Sequence, residues 1–213
     1  MKGREIMTKQ FGFTLAEVLI TLGIIGVVAA MTIPTLMNST GQAEFKTGLK
    51  KGISELNQAV TMNQALADSD FSVLTAGSTT LDGSISNMFV TRMNTLNSIN
   101  GGAQTGTAGM IDNAMGTPSV TVGGANNTVI FLNDGAAIGF PNNIASCTAA
   151  THGTCKGVID VNGIKKPNKY TSCTGGPSAC SKTTIVVGDR FGIVFFNNRV
   201  MPNGNPANFL MYN

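Results

Sequence analysis

The chain has 213 residues and a formal net charge of +3, and charged residues make up only 12% of it, well below the usual share of about 25% in soluble globular domains. With 26 glycines, two tyrosines and no tryptophan, the composition argues against a Lys/Glu-rich cytosolic enzyme and for a surface of neutral polar loops. The length holds one ordinary domain plus an extension, hardly two full domains.

The first twelve residues carry Lys2, Arg4 and Lys9 against Glu5; the rest holds eleven basic and ten acidic residues and is near neutral. The small cluster Lys165, Lys166 and Lys169 reads as a solvated loop, so nucleic acid is not an indicated partner. Residues 13–37 form an apolar run with a single charge, Glu17. At about 1.5 Å per residue, a helix of that length crosses a hydrocarbon core of roughly 30 Å. The basic segment before it belongs on the cytoplasmic side, which leaves the downstream chain outside the cytoplasm. A secretory signal peptide has a shorter apolar stretch, with its small-residue cleavage site at the end; here the run continues past Ala29 and Ala30. A simple anchor explains length and orientation but not Glu17. A carboxylate in a spanning helix costs roughly 3 kcal/mol and marks a function or a partner.

The stretch GFTLAEVLI at 12–20, with basic residues before it and the apolar run after, resembles the prepilin cleavage and methylation motif of type IV pilins and type II secretion pseudopilins. No position of the motif departs from the family pattern, and the likeness extends over residues 1–50. It implies that a membrane prepilin peptidase cuts after Gly12 on the cytoplasmic face and N-methylates the new N-terminus, Phe13. Glu17 would then pair with the α-amino group of Phe13 on a neighbouring subunit during filament assembly. The amine has an ordinary pKa near 8 and the carboxylate one near 4, so both are charged at neutral pH. Each alone is costly in an apolar medium and the pair much less so, which makes the pair a device for axial register. The implied partners are further copies or other pilin-like subunits, the peptidase, and an assembly platform in the inner or cytoplasmic membrane.

The helix is expected to continue. Between 42 and 67 the apolar residues Phe45, Leu49, Ile53, Leu56, Val60 and Leu66 recur at three- and four-residue steps, with Lys46, Lys50, Lys51 and Glu55 elsewhere on the surface, the pattern of an amphipathic helix. Pro34 removes one backbone hydrogen bond and predicts a kink or local melting; Gly23 and Gly26 add weak points. The expected organisation is a leader at 1–12, a transmembrane and assembly helix at 13–37, its amphipathic continuation at 38–67, and an α+β head at 68–213.

Residues 69–124 have few charges and weak periodicity, with short elements expected at 71–74 and 88–96 and a loop at 100–109. From 120 onward the pattern is β. Strands at 128–132 and 136–140 flank Asn133, Asp134 and Gly135, where Asp-Gly supplies a hairpin turn. Further strands are expected at 157–161, 183–187 and 191–196. A four- or five-stranded antiparallel sheet packed on the second half of the long helix would bury its stripe. The overall expectation is an α+β, type IV pilin-like fold.

Cys147, Cys155, Cys173 and Cys180 lie in a Gly-, Ser- and Thr-rich region, which suggests disulfides and an oxidising compartment. Three pairings are open; the local one, Cys147 with Cys155 and Cys173 with Cys180, closes two short loops and is preferred. The spacing lacks the two close pairs of a structural zinc site.

IDVNG at 159–163, KPN at 166–168 and GDRFG at 188–192 resemble a run common in pseudopilin heads, some of which bind calcium in a nearby loop. Asp160, Asn162 and Asp189 are oxygen donors of the type calcium takes. The alternative is that Asp160 and Asn162 shape a turn through side-chain to backbone bonds. No other cofactor is expected. His152 is the only histidine, no serine sits in a G-x-S-x-G elbow, and the Gly-rich pieces lack phosphate-loop context, so no enzyme is expected. The expected function is a structural subunit of a pilus or a secretion filament. Before assembly it would be a single-pass membrane protein with an extracytoplasmic head, and afterwards part of a periplasmic or cell-surface filament. The run around Asp160 favours secretion, while a disulfide-bearing head equally suits a pilus. The competing class is a membrane-anchored extracytoplasmic binding protein that never polymerises.

Overall fold

The computed structural model describes residues 12–76, 83–100, 127–142, 144–163, 165 and 167–212. The loop expected at 100–109 beyond Asn100, which ends a strand, the β pattern at 120–126, Lys166 and most of the leader fall outside these residues. The chain divides into two compact units, Met1–Gly41 and Gln42–Asn213.

Helix α1 (Leu15–Ala67) carries Pro34 inside it and stays helical there, so local melting at Pro34 is not what the structure shows. In the first unit its large apolar side chains from Leu15 to Leu36 are exposed. In the second unit, Leu49, Ile53, Leu56 and Val60 of the expected stripe are buried and Phe45 packs against the core. Leu66 departs from the stripe, with 67% of its surface exposed. The inward position of the last turns goes instead to Asn63, which is fully buried and donates from Nδ2 to the Ser69 carbonyl at 3.0 Å. That bond turns the chain out of the helix.

Strands β1 (Thr95–Asn100), β2 (Asn127–Leu132), β3 (Ala137–Pro141), β4 (Lys156–Asp160), β7 (Arg190–Phe196) and β8 (Arg199–Pro202) form one antiparallel sheet in that order. Among the described residues the sheet thus has six strands, more than the four or five expected. Its register aligns Ile130, Ile138, Ile159 and Phe191 in one row across β2, β3, β4 and β7. All four are buried, and α1 lies against the row: a Cβ added at Gly52 would stand 2.2 Å from Cδ1 of Ile159, and one added at Gly48 would stand 2.9 Å from Cβ of Val161. Two glycines one turn apart therefore let the helix backbone approach the sheet.

Phe195 joins a second part of the core, with ring centroids 5.2 Å from Phe71, 5.9 Å from Phe140 and 6.1 Å from Phe89. The contacts with Phe71 and Phe140 are edge-on, a geometry that contributes beyond the buried area. Phe89 belongs to α2 (Ile85–Arg92). The element expected at 88–96 is thus the end of a helix followed by β1, because Ile85, Met88 and Phe89 lie on one helical face. The expected strand at 183–187 shrinks to β6 (Ile185–Val186), paired with β5 (Ser172–Cys173) in a separate two-stranded ribbon.

The hairpin of β2 and β3 turns at Asp134 and Gly135. Gly135 takes a positive φ of 92°, which a residue without Cβ adopts freely. Lys51 on α1 reaches this turn, with Nζ 2.8 Å from Asp134 Oδ2 and 3.6 Å from Glu55. At the far edge, β8 is closed by a side chain. Asn57 on α1 accepts from Val200 N at 2.7 Å and donates to the Val200 carbonyl at 2.9 Å. Pro202 lies two residues on and so has its missing N–H on the same outward side. The C-terminal helix α3 (Asn205–Tyr212) follows and buries Ala207 and Leu210.

Candidate functional site

In the first unit the chain enters α1 through Phe13, which is 89% exposed, and Thr14. Thr14 and Glu17 cap the helix reciprocally. Thr14 donates to Glu17 Oε2 from both N and Oγ1 at 2.8 Å, and Glu17 N donates to Thr14 Oγ1 at 3.3 Å. This is the T-x-x-E capping box, which satisfies donors that a helix start otherwise leaves open. The carboxylate thus has a local task besides any partner it takes. The spacing of Thr14 and Glu17 carries that signal in the sequence.

Residues Leu15–Pro34 form a 20-residue span of mean hydropathy 2.2, none of it buried within the structure. Thr21 and Thr32 return their hydroxyls to the carbonyls of Glu17 and Val28 at 2.9 and 3.0 Å. Their polar groups therefore ask nothing of an apolar surrounding. A helix apolar on every face, with one carboxylate at its first turn, is built for an apolar surrounding. The family model described as the prokaryotic N-terminal methylation motif matches residues 7–33. The chain carries the signature of type IV pilins and pseudopilins. The apolar helix followed by a six-stranded antiparallel sheet is an α+β fold of pilin-like layout. The signature implies processing by prepilin peptidase and polymerisation with pilin subunits, and its family is structural rather than enzymatic. The apolar helix fits a membrane-anchored pilin. No curated protein and no solved structure matches the chain.

The second group of candidate residues lies in the head. Asp160 ends β4 and faces Arg190, which opens β7, in the sheet register. Arg190 Nε donates to Asp160 Oδ2 at 2.8 Å, and both residues are buried. The other Asp160 oxygen accepts from Asn162 N at 3.3 Å. Asp189, also fully buried, accepts from Asn168 N at Oδ2 and from Lys169 N at Oδ1, each at 2.7 Å. Burial pushes the Asp160 carboxyl up to about 6 against the pull of Arg190, and the neighbouring charge of Asp189 adds to the rise.

Calcium takes six to eight oxygens at about 2.3–2.6 Å, and all four carboxylate oxygens here face N–H donors. Among the described residues there is no group of three or more acidic, histidine or cysteine side chains placed to hold a metal. Gly188 completes the arrangement, since a Cβ there would meet the Lys169 carbonyl oxygen at 2.1 Å. Asp160, Asn162, Asn168, Asp189 and Arg190 are thus parts of one fastening, in which 168–171 lies along the start of β7 through Tyr170 and Arg190. Arg190 is the member that sequence reasoning missed. Its signal was an opposite charge beside Asp189, one residue before the strand expected at 191–196.

Cys147 is bonded to Cys155, and Cys173 to Cys180. The first disulfide is buried beside the core, where Cys147 N donates to the Phe71 carbonyl and Asn197 N to the Cys147 carbonyl. Lys165 and Lys169 are exposed, and His152 lies in a single helical turn, His152–Thr154.

Proposed function

We propose that the chain is a structural subunit of a type IV pilus-like or type II secretion filament and has no catalytic role. The precursor waits in the membrane through residues 13–37 with its head outside the cytoplasm. Prepilin peptidase cuts after Gly12 and methylates Phe13, and an assembly platform draws the subunit into a polymer of like or related chains. Glu17 pairs there with the Phe13 amine of a neighbour, and Pro34 gives the helix a flexible point for the move from bilayer to filament. The observation that carries this reading is the motif at residues 7–33 on a helix that is apolar on all faces, with Glu17 in its first turn.

The test is intact-mass and N-terminal peptide mass spectrometry of the protein from its native membrane. The expected product begins at Phe13 and carries one added methyl group. A chain that still includes the leader, in cells with active prepilin peptidase, would leave a plain membrane-anchored domain instead.

A further inference from the structure

We infer that Arg190 is the built-in cation of the Asp160–Asp189 cluster, so that the head fastens the chain at 168–171 without calcium. Asp160 at the end of β4 and Asp189 just before β7 are both fully buried, and buried carboxylates need positive charge or N–H donors around them. The structure supplies both from the chain itself. The Arg190 guanidinium sits 2.8 Å from Asp160, and it is the residue next to Asp189, whose two oxygens hold the backbone of Asn168 and Lys169 at 2.7 Å. Arg190 also binds the loop through its backbone: its N donates to the Lys169 carbonyl at 3.1 Å, and its carbonyl accepts from Thr171 N at 3.0 Å. Each of the four carboxylate oxygens already accepts an N–H of the chain itself. A guanidinium cannot lose its charge in a protein, so the fastening does not depend on an ion supply outside the cell.

The experiment is thermal unfolding of the full-length protein in detergent, in chelator and in millimolar calcium, with calcium titration calorimetry alongside. The wild type is expected to melt at the same temperature in both and to give no binding heat. A calcium-dependent rise in Tm would overturn the inference, and this arm needs no variant to fold. Arg190→Met leaves Asp160 buried without its cation and is expected to lower Tm by about 10 °C. The double change Asp160→Asn with Arg190→Met removes the stranded charge and should recover at least half of that loss. Equal losses in the single and double variants would show that Arg190 acts only by filling space, which also overturns the inference.

Discussion

The two units of this chain treat charge in opposite ways. In the first, the apolar residues of α1 lie open and the single carboxylate, Glu17, stands at the helix start, held by Thr14. In the second, apolar side chains are inside, and Asp160, Asp189 and Arg190 are buried with them, each meeting an oppositely polarised group of the same chain. A charge whose partners are internal serves the fold. A charge on a bare apolar helix still has capacity for a partner on another molecule.

That contrast can be broken most sharply at Glu17. Glu17→Gln keeps an acceptor for the Thr14 N–H, since glutamine also serves in a capping box, but removes the charge. Filament assembly, scored by sheared-filament yield, is expected to be lost while membrane insertion remains. Glu17→Ala should lose assembly and also about 1 kcal/mol of helix-start stability. Assembly by the Gln variant at wild-type yield would mean that capping, and not pairing with an amine, is the whole task of this side chain.

The buried side of the comparison is sharpened by pH. The folded head holds the Asp160 proton up to about pH 6, whereas the unfolded chain releases it near 4. Between those values the folded state binds more proton, so this group makes the head less stable as pH rises through the window. The contribution is about 3 kcal/mol across the full window. Comparing urea unfolding at the two ends in wild type and in Asp160→Asn isolates it; a slope that survives in the variant would assign it to other groups.

A smaller effect is expected where α1 closes the sheet edge. Asn57→Ala leaves Val200 N–H and C=O without their side-chain partner, at a cost of about 1–3 kcal/mol in urea unfolding. It also bares the outer edge of β8, so slower-sedimenting monomer should give way to associated species. A variant with unchanged stability and no association would show that water serves that edge as well as Asn57 does.

Much of this architecture is legible in the sequence. The membrane-length apolar run, the amphipathic stripe from Leu49 to Val60 and the Asp134–Gly135 hairpin all express local periodicity or turn chemistry, which neighbouring residues suffice to determine. Helix α2 was as local as these and was missed because its stripe, Ile85, Met88 and Phe89, spans little more than one turn. Strand β8 was missed for a different reason. Four residues ending in proline carry almost no β signal, and it is pairing with β7 and the reach of Asn57 that make them a strand.

By itself, the amino-acid sequence determined the N-terminal segment, where motif, apolar length and the placement of one carboxylate are all written within a few turns of helix. Only the tertiary structure decided what the head carboxylates do. Asp160 and Arg190 are 30 residues apart along the chain, and Asp189 and Lys169 are 20 apart. Whether such oxygens meet a metal ion or an N–H group depends on strand register and on how closely a loop can lie against Gly188. Neither is a local property of the chain.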